Sequence, residues 1–273
     1  DYAPAYIGLA QTLAHLGVVG WLPPQQVFPA ARAAATKALA LDETLADAHA
    51  VLGMVKLAFE WDWSGTEDIV NYALKIDPHS VVAHDVFSFY LTLLGQNDHG
   101  LAHLKHNLDM YPSSYYHNLR LGWCYYEARK YDEAIVQFRK TQEIYPELNL
   151  THIFLAWVYT KKGLYDEALA ECAKAQAKGV FDWQCGRIYA EAGKIQEAQN
   201  ALHALLSQNI PAYAWIAEIY LALGDHDHAF EYFEKAYENG SPEIVQLKVA
   251  PQWDALRSDP RYFALMKKIG LEE

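Results

Sequence analysis

The stretch LGWCYYEARKYDEAIVQFRKTQEIYP, Leu121–Pro146, decides the fold. It carries a small residue at Gly122, an aromatic at Tyr125, alanine at Ala134, an aromatic at Phe138 and proline at Pro146. Working outward, Pro78, Pro112 and Pro146 stand 34 residues apart. A fixed period of about this length, with two helical halves, marks stacked helix-turn-helix repeats.

The same frame runs along the chain. Small residues open the units at Ala10, Gly53, Ser88, Gly122, Ala156, Gly186 and Ala217, with separations of 43, 35, 34, 34, 30 and 31. Three residues on stand Leu13, Lys56, Leu91, Tyr125, Tyr159, Tyr189 and Tyr220. Alanine recurs twelve on, at Ala134, Ala168, Ala198 and Ala229. Sixteen on come Leu104, Phe138, Cys172, Leu202 and Phe233. Small residues recur because two helices cross closely there, and interiors packed near crystal density leave no room for more.

This pattern resembles the tetratricopeptide repeat over residues 3 to about 240. The resemblance implies an all-α fold: a right-handed α-solenoid of about seven helix-turn-helix units with a C-terminal capping helix. The expected superhelix covers 1–240, with units near 3–44, 46–79, 81–114, 115–148, 149–178, 179–209 and 210–240; a helical cap fills 241–273. Three departures narrow the resemblance: the insertion GVVGWLPPQQVFPAA in unit one, one extra residue in FEWDWSG, and the tail LKVAPQWDALRSDPRYFAL. They are similar to the C-terminal repeat region of bacterial multidomain regulators. There the repeats follow an adenylate/guanylate cyclase, a winged-helix or a Ser/Thr kinase head. No such head lies in these residues, so the chain reads as a piece of a longer one. Trp61 and Trp63 are expected to pack back onto the insertion, or to form a second binding lip. Ser258-Asp259-Pro260 starts a last helix that turns Phe263 and Met266 to the last unit and Lys267 and Lys268 to water.

Composition excludes several functions. Lys and Arg number 22 against 34 Asp and Glu, a net charge of -12, whereas nucleic-acid contact needs a basic stripe. No apolar run approaches the roughly 18 residues of a bilayer span. Nucleic acid and membrane are therefore not expected partners. The odd set Cys124, Cys172 and Cys185 argues against a disulfide framework. It reads as buried thiols in the cytoplasm, or in the periplasm if a membrane segment precedes.

His99, His103 and His106 share one helix, the first two on one face; solvated or inter-helix histidines are favoured over a metal site. No nucleophile elbow, zinc-protease or phosphate-loop motif occurs, so neither catalysis nor a cofactor is expected.

Function is expected on the concave face, lined by the first helix of each unit. The candidate partner-binding residues are Phe89, Tyr116, Trp123, Tyr126, Trp157, Lys161, Trp183 and Arg187. Phe89, Trp123 and Trp157 fall at one position in successive units and predict an aromatic ladder. The ladder is either filler for a tightly wound coil or an apolar strip that accepts a peptide. The expected partner is a protein or peptide segment. A small-molecule sensory module and a self-associating oligomerisation arm are the alternatives.

Overall fold

The computed structural model describes residues 2–20, 22–177, 182–208 and 212–271. The unit boundaries expected at 178–179 and 209–210, and Trp21 of the insertion, lie outside these residues. Among the described residues every element is helical. Within these residues seven helix pairs follow one another: α1 (Ala3–Val18) and α2 (Pro24–Leu41), α3 (Ala46–Val55) and α4 (Trp63–Ile76), α5 (Val81–Leu93) and α6 (Asn97–Met110), α7 (Tyr115–Glu127) and α8 (Tyr131–Ile144), α9 (Leu150–Lys161) and α10 (Tyr165–Ala177), α11 (Gly186–Glu191) and α12 (Ile195–Ser207), α13 (Tyr213–Ala222) and α14 (His226–Glu238). A tail follows, with 3-10 turns at Pro242–Gln246 and Pro251–Leu256 and a last helix, α15 (Pro260–Lys268).

At Gly53 and Gly122 the two helices of a pair press together. A Cβ on Gly53 would come within 2.7 Å of Val70, and one on Gly122 within 2.5 Å of the Phe138 ring. One turn recurs between the helices of five pairs. A residue with positive φ stands at Gly95, Arg129, Gly163, Gly193 and Gly224. The next backbone N–H then bonds back to the carbonyl of Leu91, Tyr125, Tyr159, Tyr189 or Tyr220. This double-bonded close satisfies the last carbonyls of the first helix. Glycine accepts that conformation freely, whereas Arg129 at φ 60 does not.

The irregular spacings have local causes. The extra residue in the second repeat is taken up as a π turn, Lys56–Glu60, closed by Trp61 in the left-handed region. The long first interval is absorbed largely by longer helices, 16 residues in α1 and 18 in α2, so the end of the insertion becomes the first turns of α2.

The chain divides into two units. The first comprises residues 1–107, 237–249 and 262–273; the second comprises 108–236 and 250–261. In the first, Phe28, Ala31, Val51 and Val55 form the core of the leading pairs. Val245 and Val249 of the tail pack with Leu57, Phe89 and Leu93. Trp61 stacks on Tyr237 at 5.0 Å, and the Trp63 indole donates to the Ile269 carbonyl at 2.6 Å. Trp61 therefore meets α14 and Trp63 the tail, not the insertion they were expected to meet. The last helix also differs in part: Met266 is buried, but Phe263 is 46% exposed. In the second unit, Phe138, Leu155, Val158 and Ile188 are sealed inside the α7–α11 stack.

Candidate functional site

Successive first helices pack side by side in the second unit, α7 on α9, α9 on α11 and α11 on α13. The residue after each small anchor falls at one register position: Trp123, Trp157, Arg187 and Glu218. Four residues further on, a second row reads Glu127, Lys161 and Glu191.

Trp123 and Trp157 meet edge to face at 5.4 Å, with Phe154 at 5.3 and 5.1 Å from them. The row continues through Trp215, 5.5 Å from Trp157, to Trp183, 5.4 Å from Trp215. Trp157 is buried, while Trp123, Phe154, Trp183 and Trp215 are partly exposed. The expected pair Trp123 and Trp157 thus comes together. Phe89 belongs to the first unit, beneath Val245 and Val249 of the tail. Tyr116 is half-buried with its ring against His117. Trp215 and Phe154 were missed by reading inward positions from the anchor alone. Aromatic composition at α9 and α13 was the signal available.

Beside the row lies a buried charged cluster. Arg187 is 4% exposed, with its guanidinium over the Trp157 ring. It reaches Glu191 at 3.4 Å and Glu218 at 3.5 Å, and Lys161 pairs with Glu191 at 3.2 Å. Burial pushes the Glu218 carboxyl above its ordinary range, against the pull of Arg187. It likewise pushes Glu127 up to about 7, opposed by Arg120, the Trp123 indole and Arg129.

The chain's own tail is seated on this cluster. Trp253 donates its indole N–H to Glu218 Oε1 at 3.0 Å, and Gln252 donates its amide to the same oxygen at 3.2 Å. The Tyr126 hydroxyl donates to Gln252 Oε1 at 3.2 Å. Arg129 pairs with Asp254 at 2.7 Å, and the Trp253 ring meets Phe233 edge to face at 5.2 Å. Trp253 and Tyr126 are each 1% exposed. Of the expected contact residues, Phe89, Tyr126, Trp157 and Arg187 are thus buried, and Tyr126 holds the tail directly.

The histidines of the first unit form a relay. The His84 Nε2–H donates to the Pro78 carbonyl at 3.0 Å, so neutral His84 accepts at Nδ1 from the His103 Nδ1–H, 2.7 Å away. His106 stacks on His84 at 4.1 Å and on His79 at 5.6 Å. Burial first, then His84, His106 and His99, pushes His103 down to about 4. Among the described residues no three His, Cys, Asp or Glu side chains are grouped to hold a metal ion. Cys124, Cys172 and Cys185 are buried free thiols. No described helix is long and apolar enough to cross a membrane.

Tetratricopeptide-repeat family models match residues 118–147 and 186–244. No curated protein matches the chain. A tetratricopeptide repeat protein from Parabacteroides merdae is similar at a TM-score of 0.62 and 16% identity, covering 98% of this chain and 99% of its own. Pseudomonas aeruginosa PilF is similar at 0.52 and 17% identity, covering 78% and 97%. Identities this low bear on the fold alone. With the helix pairs, the shared turn and the matched segments in hand, the chain carries tetratricopeptide repeats.

Proposed function

We propose that the chain is a protein-interaction scaffold that takes a peptide or protein segment on the inner face of its second unit. The observation behind this reading is the contiguous aromatic row from Trp123 through Trp157 and Trp215 to Trp183, most of it partly exposed. Large aromatics and arginine dominate interface energetics, and contiguous exposed apolar surface tends to mark a docking site. Trp123, Tyr116 and Trp183, joined by Phe154 and Trp215, form the contact strip. Trp157, Tyr126, Lys161 and Arg187 stiffen it from beneath.

The insertion, the Trp-Asp-Trp turn and the tail support a place for this scaffold as the repeat arm of a bacterial signalling or transcription regulator. Three buried free thiols suit the reducing cytoplasm. The role is binding rather than catalysis.

A displayed library of random peptides panned against the full chain tests the reading. Enriched sequences are expected to bind wild type and to lose at least about tenfold in affinity with Trp123→Ala and Trp215→Ala. Circular dichroism verifies the fold of each variant. No enrichment, or affinity unchanged in both folded variants, overturns it.

A further inference from the structure

We infer that the tail turn Pro251–Leu256 stands in for the partner, and that the second unit's inner face recognises a segment carrying Gln-Trp-Asp. This rests on the reading that the inner face takes a partner segment, and names the chemistry of that segment.

The contacts are those of a receptor reading side chains. Three consecutive residues are each held by side chains of the repeats, the first two sharing the Glu218 carboxylate. Gln252 lies between Tyr126 and Glu218, Trp253 between Glu218 and Phe233, and Asp254 on Arg129. Glu218 is a buried carboxylate whose nearest partner outside the tail is Arg187, at 3.5 Å. Such a group demands donors from whatever sits on it. An indole N–H and a carboxamide satisfy it, whereas a phosphate or a terminal carboxylate at the same place would be repelled.

Arg129 is the second observation. Four other repeats place glycine at this left-handed turn position, and here an arginine carries the strain. Its guanidinium bonds the Glu127 carbonyl at 3.1 Å and pairs with Asp254, and both ion-pair partners are more than two-fifths exposed. An ion pair in water repays little in stability. The residue makes sense as a reader of the segment's carboxylate. A tethered occupant also enjoys an effective concentration of about millimolar order, so a free competitor engages only when the tail is weakened.

The test uses the full chain and a fluorescein-labelled peptide KVAPQWDALR, the sequence of residues 248–257, followed by fluorescence anisotropy. Trp253→Ala vacates the indole site and leaves its receptor intact. It is expected to bind the peptide at least about tenfold tighter than wild type does. A peptide with phenylalanine for tryptophan keeps a ring but has no N–H for Glu218, and is expected to bind about tenfold more weakly.

Asp254→Ala provides a milder loosening, expected to raise peptide affinity about threefold by freeing Arg129. Binding to Trp253→Ala that is indifferent to tryptophan or phenylalanine overturns the inference. So does a folded Trp253→Ala chain that gains no affinity. If Trp253→Ala does not fold, an absent gain in Asp254→Ala overturns it, because the tail is then a permanent part of the core. Library-selected peptides that depend on Trp123, alongside a tail peptide that does not bind, sink this inference and leave the scaffold reading standing. Failure of both sinks both.

Discussion

Gly122 presses directly on Phe138: a Cβ added to the glycine would lie 2.5 Å from ring carbon Cε1. The ring is sealed in the core and cannot step aside. Gly122→Ala is therefore expected to destabilise the chain by about 1–3 kcal/mol through overpacking. Gly8 is also helical, but nothing lies within 4 Å of its added Cβ. Gly8→Ala is expected to gain roughly 0.5–1 kcal/mol. Urea titration of both separates close helix crossing from ordinary helix propensity; equal effects would contradict the packing account.

Glu127 gives a pH signature. Its folded carboxyl titrates near 7, above the ordinary 4.5, because burial penalises the charge. Folding therefore favours the protonated form. The contribution is greatest below about pH 4.5, is lost as pH rises towards 7, and is flat above. Glu127→Gln is expected to stabilise the chain at pH 8 by on the order of 1–3 kcal/mol and to flatten that slope. Chemical denaturation at pH 5 and pH 8 measures it; an equal effect at both would be inconsistent with a buried ionisation.

His103 has the opposite sense. Burial and neighbouring histidines hold it near 4, below the ordinary 6.5, so the fold favours neutral imidazole. Its contribution is complete above about pH 6.5 and falls away as pH drops towards 4. The thermal midpoint of wild type is expected to decline across this window more steeply than that of His103→Gln. Parallel profiles would show that the relay carries no proton linkage.

Arg129→Gly sets two small terms against each other. Relief of the left-handed backbone gains about 1–2 kcal/mol, and loss of the exposed Asp254 pair costs about 0–1 kcal/mol. The variant is expected to be as stable as wild type or slightly more so in urea. A loss above about 1 kcal/mol would mean that the ion pair is worth more than exposed pairs usually are.

The helix pairs were legible because their cause is local. Gly122, Tyr125, Ala134 and Phe138 recur at fixed offsets, and each offset reports a contact within one pair or its neighbour. The extra residue near Trp61 was visible too, although its conversion into a π turn was not. The tail's destination was hidden for a physical reason. Val249 meeting Phe89, or Trp253 meeting Glu218, leaves no periodic trace in the chain. Trp215 escaped because it stands two residues before its anchor Ala217, whereas inward positions were counted just after the anchor and three or four residues to either side of it. The meeting of Trp123 and Trp157 was readable from their equal register; how much of each ring water reaches depended on neighbours that period alone does not specify.

The hydrogen bond from Trp63 to Ile269 spans 206 residues. Repeat proteins ordinarily assemble from neighbours alone, so their early repeats can settle while later ones are still being made. Here the leading repeats wait for partners synthesised much later. Such distant closures slow folding and leave Phe89 and Trp61 uncovered on the nascent chain, a window in which chaperones have apolar surface to hold.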